Sequence, residues 1–156
     1  MKKFRGKRRY FRNLHKAAAT EHLRLDFGKG GWFDLWHTHL DFIGHGNRSI
    51  KIRREHVKAH IALYKSLLKN LEIFEKPFQS WIEIDGQDAG SDAVYIHSPN
   101  PNEDNFPLKK ENIDWEVELP LYLKGLIDTQ EFDIGRYLSE TEVHFIIQAK
   151  CLKNRL

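Results

Sequence analysis

Trp81-Ile82-Glu83-Ile84-Asp85, a Gly/Asp-rich span over 86–92, and Ala93-Val94-Tyr95-Ile96-His97 decide the fold of this chain. Each run is rich in β-branched and aromatic residues, and turn-forming residues separate them, so the stretch predicts a β-hairpin. Upstream, Val57, Ile61, Tyr64, Leu68 and Leu71 recur at helical spacing with Lys and Arg on the other face. That periodicity predicts one long helix over about 53–74, stopped by Pro77. Farther out, Trp32–Phe42 reads as a strand after the glycine cluster 28–31, and Leu23–Phe27 as its hairpin partner. Ile113–Leu119 alternates apolar and acidic residues up to Pro120, and Thr141–Ala149 reads as a last strand with Val143, Phe145 and Ile147 on one face. Phe11, Leu14, Ala17 and Ala18 predict a short helix over about 8–20. Strands outnumber helices in mixed order, so the expected architecture is α+β: a mostly antiparallel sheet with one long and one short helix.

With 156 residues and no linker, repeat or low-complexity run, the chain reads as a single domain over 1–156. Hydrophobic residues make up 40% and charged residues 30%, a globular rather than disordered composition. No stretch approaches the ~20 apolar residues of a membrane span, and mean hydropathy is −0.60. The single cysteine, Cys151, excludes an internal disulfide and a four-cysteine zinc site, and fits a reducing, cytoplasmic setting.

The net charge of +3 hides a strong asymmetry. Residues 1–82 carry 18 Lys+Arg against 7 Asp+Glu, whereas 83–142 carry 4 against 15. A basic N-terminal arm at about 1–16 holds eight bases and no acid. It reads as a solvated leader, or as a phosphate-binding arm with Phe4, Tyr10 and Phe11 free to stack on bases. In the acidic part, charges alternate with strand residues. Asp85, Asp88, Asp92, Glu116 and Glu118, with Tyr95 and Trp115, form a candidate docking surface for a basic partner.

His37-Thr38-His39-Leu40-Asp41, followed by His45, is the one string with metal-ligand character. On a strand, His37, His39 and Asp41 share a face at steps of about 7 Å, and zinc accepts both ligand types. The string resembles the H-x-H-x-D-H-x-G-G motif of the metallo-β-lactamase fold, but Phe42 stands at the third histidine and His45 at a glycine. A metal-dependent hydrolase using these residues is one alternative, and strand histidines hydrogen-bonded to neighbours are the other. His56 and His60 lie one helical turn apart and read as residues of a solvated helix face. There is no G-x-S-x-G elbow and no Walker loop.

Gly31–Asp41 through Gly44, and Asp92–Asn102 with Phe106-Pro107, resemble small bacterial proteins encoded beside polymorphic or contact-dependent toxins. The resemblance implies a cytoplasmic immunity protein that binds a cognate toxin domain, often a nuclease, and needs no cofactor. The expected function is therefore non-enzymatic neutralisation of a toxin by occluding its active cleft. The hydrolase and a nucleic-acid-binding module built on the N-terminal arm stand as alternatives.

Overall fold

A computed structural model describes residues 6–20, 33–38, 40, 49–71, 78–85, 92–98, 113–138 and 143–150. Within them, α1 (Lys7–Thr20) and α2 (Ile50–Leu71) accompany five strands: β1 (Phe33–Thr38), β2 (Gln79–Asp85), β3 (Ala93–Ser98), β4 (Phe132–Leu138) and β5 (Val143–Ala149). The strands form one sheet in the order β1-β3-β2-β5-β4. Every neighbouring pair is antiparallel. The α+β expectation holds, and the hairpin of 81–85 with 93–97 is β2 and β3, with Trp81 opposite Tyr95 and Ile82 opposite Val94.

Alternation along paired strands gives the sheet two faces. Ser80, Ile82, Ile84, Val94, Ile96, Ile134, Phe145 and Ile147 align across the ladders on one of them. The aliphatic and aromatic members of that set share a buried core with Leu63, Tyr64, Leu67 and Leu71 of α2. Tyr64 anchors the layers: its hydroxyl donates to Ser80 O at 2.8 Å and accepts from Ala149 N at 3.4 Å. α1 joins the same core through Leu14 and Ala18, with Tyr10 and Phe11 packed at its margin.

Three expectations need correction. First, His56 and His60 are not on a solvated face; both are buried. Both ring nitrogens of His60 are satisfied locally, which is what allows its burial. His60 Nδ1 lies 2.8 Å from His56 O, an acceptor only, so Nδ1 carries the proton, and Nε2 accepts from Leu40 N at 3.2 Å. His56 Nε2 lies 2.5 Å from the Tyr10 hydroxyl. Secondly, the basic arm is no loose leader from residue 7 onward, because α1 is docked. Its Tyr10 and Phe11 face the core rather than standing free to stack on bases, and Phe4 lies outside the described residues.

Thirdly, Ile113–Leu119 is not a strand. It bends at Glu116, with Ile113, Trp115, Val117 and Leu119 buried or half-buried and Asp114, Glu116 and Glu118 exposed. Among the described residues it meets the sheet at one bridge, between Asp114 and Arg136. The strand that occupies the edge is β4, which no sequence signal marked. The expected strand at 23–27 lies outside the described residues, as do Cys151 and the span 99–112.

Candidate functional site

Segment 113–118 is held against edge strand β4 by a reciprocal pair of backbone bonds: Asp114 N donates to Arg136 O at 2.9 Å, and Arg136 N to Asp114 O at 2.8 Å. The Arg136 guanidinium reaches Asp114 Oδ2 at 3.4 Å on the outer side. Between the flanking side chains lies Gly135. A Cβ there would overlap the Ile113 Cγ2 methyl and come within 3.0 Å of the Trp115 ring. Glycine is thus the notch into which Ile113 and Trp115 seat. Trp115 is half-buried in consequence, while Glu116 and Glu118 stand exposed beside it.

A cleft of about 290 Å³ opens next to this segment, walled by Trp115, Glu116 and Val117 on one side and by Thr129, Asp133 and Lys150 on the other. Phe132 and Ile134 complete its lining. Lys150 is held at the rim by a bond from its ammonium to Thr129 O at 2.5 Å. Glu118 has a tether of its own, 3.0 Å to Lys124 Nζ, but its side chain is 88% exposed, so solvent screens the pair. The Glu116 carboxylate makes no ion pair among the described residues.

On the sheet face away from α2, Trp81 and Tyr95 stack with centroids 5.2 Å apart and planes 8° from parallel. Burial, and then the nearby Glu83 carboxylate, push the Tyr95 hydroxyl pKa up, so the phenol stays neutral. Glu83 is shared by two partners: the Tyr137 hydroxyl donates to Oε1 at 2.6 Å, and His144 Nδ1 lies 3.1 Å from the same oxygen. Tyr137 and His144 stack at 4.8 Å. This acid–imidazole–phenol group was not singled out from the sequence, since Tyr137 belongs to the strand that was missed.

The seven candidate docking residues therefore separate. Trp115 and Glu116 line the cleft, with exposed Glu118 next along the same segment. Tyr95 is half-buried in the aromatic stack of the sheet. Asp92, expected on the docking surface, is buried at 3% exposure just before β3 and cannot meet a partner there. Asp85 ends β2, its backbone opposite His144, and Asp88 lies outside the described residues. Of the metal candidates, His37 falls in β1 with its backbone opposite Tyr95, and His39, Asp41 and His45 lie outside the described residues. Among the described residues no three metal-ligating side chains cluster, and no helix is long and apolar enough to cross a membrane. Comparison with protein-family models, curated proteins and solved structures finds no match to this chain.

Proposed function

We propose that this protein is a non-enzymatic binding protein that neutralises a cognate toxin domain by docking acidic residues into the toxin's basic cleft. The observation that supports this most is a seated aromatic beside an exposed acid that makes no ion pair among the described residues. Trp115 is lodged over Gly135, and Glu116 lines the adjoining cleft without an ion pair among the described residues. Interfaces draw their strength from such arrangements, a rigid buried anchor beside a few charges that lose water on contact. A nuclease grips phosphate with basic residues, so its active cleft offers the complementary charge. Asp114 and Glu118 already pair with Arg136 and Lys124, which leaves Glu116 as the central acid.

The test is a binding titration against the toxin domain encoded beside this chain's gene. Glu116→Lys should weaken binding by about 2–5 kcal/mol if it removes one member of a desolvated charge pair, and Glu118→Lys, more exposed, by far less. Lys51→Glu and Lys69→Glu on α2 serve as charge-changed controls, since both are exposed. If those two lose binding while Glu116→Lys keeps it, the docking surface is the basic one and the proposal is wrong.

A further inference from the structure

α1 and α2 together carry eleven Lys and Arg against one acid, Glu55. Most cations of α2 are engaged in the fold. Arg54 Nη1 donates to the carbonyls of Leu121, Tyr122 and Lys124, Arg53 lies 3.9 Å above the Tyr122 ring, and Lys58 and Lys65 pair with Glu55 and Glu131. α1 differs. Arg8, Arg9, Arg12 and Lys16 are all exposed, and none makes an ion pair among the described residues. At about 100° per residue they fall within one sector roughly a quarter of the way around the helix, spread over about 12 Å of its axis.

We infer that this outer stripe of α1 binds the phosphate backbone of duplex nucleic acid. Three features point to that occupant. Like charges held this close repel, and the arrangement is relieved when closely spaced phosphates face it; duplex DNA presents one charge per about 1.7 Å of axis. Three of the four cations are arginines, whose planar forks match phosphate oxygens in pairs. The aromatic residues of α1, Tyr10 and Phe11, pack toward the core. Among the described residues the stripe thus has no ring on which an unpaired base could stack, which favours backbone contact to a duplex. An anionic membrane fits less well, because an interfacial helix must sink an apolar face into lipid, and the apolar face of α1 already rests on α2. The inference is independent of the toxin reading, which uses the acidic segment 113–118.

Fluorescence anisotropy with a 20-base-pair DNA duplex, titrated with the full chain from 50 to 200 mM salt, tests it. Expected is sequence-indifferent binding in the non-specific range of about 10⁻⁴–10⁻⁶ M, with a log–log salt slope approaching −3.6 if all four cations meet phosphates. Arg8→Glu/Arg12→Glu should weaken binding at least tenfold at 50 mM and shrink the slope by about half. Arg8→Lys/Arg12→Lys, which keeps the charge, should restore most of it. Lys51→Glu/Lys69→Glu carries the same change in net charge on α2 and should leave binding nearly intact. Circular dichroism melts check that each variant stays folded. The inference is overturned if the duplex does not bind at 50 mM salt or if the two glutamate pairs weaken binding equally. Stripe-dependent binding to phosphatidylserine vesicles without duplex binding would overturn it too.

Discussion

The two faces of the sheet reach burial by opposite chemistry. Toward α2, Ile82, Ile84, Val94, Ile96 and Ile147 are each wholly buried. They interdigitate with the leucines of the helix, and non-directional dispersion and water exclusion suffice. Away from α2, the same strands present Gln79, Trp81, Glu83, Tyr95, His97, His144 and Gln148. Several of these are just as buried: Trp81 at 2%, Gln148 at 4% and His97 at 6%. A polar face can be buried only when its groups are matched in direction as well as in distance. Glu83 does this for one group, accepting from the Tyr137 hydroxyl at 2.6 Å, with the His144 ring nitrogen 3.1 Å from the same oxygen. The aliphatic face sets how stable the molecule is, and the polar face sets where segment 113–118 and its cleft must lie.

Substitutions on the two faces should therefore fail differently. Ile147→Ala removes three carbons from the centre of the aliphatic face, where α2 and two neighbouring strands prevent collapse of the space. A loss of about 3–5 kcal/mol in urea-induced unfolding is expected. A loss under 1 kcal/mol would mean that this face is loosely packed and the contrast is false. On the polar face the sensitive position is Gly135, where the error is one of excess. Gly135→Ala drives a methyl into Ile113 and Trp115, so a loss of about 1–3 kcal/mol is expected. A shift in tryptophan emission should accompany it as Trp115 is displaced. An unchanged melt and spectrum would show that segment 113–118 is not seated in the notch.

The aliphatic face is the one that sequence periodicity reveals. Period-two runs gave β2, β3 and β5 their positions, and the 3.6-residue repeat located α2 to within three residues at each end. β4 escaped because Asp133, Gly135 and Arg136 interrupt Phe132–Leu138 with residues that strands ordinarily disfavour. In place, Gly135 is favoured for the very absence of a side chain. The clean alternation of 113–119 misled for a related reason. Alternation reports an extended chain with one side in, and it says nothing of whether a ladder forms beside it. Of the candidate site, Trp115 and Glu116 were legible as an aromatic next to an acid. Asp133, Thr129 and Lys150 were not, since they come to the cleft only through the β4–β5 pairing.

The helix side also contains buried polar groups, and there the contrast can be tested by pH. His56 is buried on α2 beside Tyr10 and His60. Burial first, then the neighbouring His60 and His15, lower its pKa from 6.5 to about 4. Glu55, the nearest acid of the same helix, points to His15 and Lys58 instead. Burial pushes its pKa up, but those two hydrogen bonds and charges outweigh it and hold the carboxyl below its ordinary value. The signs separate the two residues. Unfolded His56 takes up its proton first, so stability is complete above pH 6.5 and falls as pH drops toward 4. The stability that Glu55 contributes is present above about pH 4.5 and is lost only as pH falls below it, because the unfolded carboxylate protonates first. Between pH 7 and 5 the fall due to His56 should be about 2 kcal/mol. Urea unfolding at half-unit intervals would record it. His56→Gln lowers stability at pH 7 by leaving Tyr10 poorly matched, but should flatten the curve between pH 7 and 5. If the variant keeps the wild-type slope there, His56 is not buried as the neutral ring, and the helix side of the sheet tolerates charge after all.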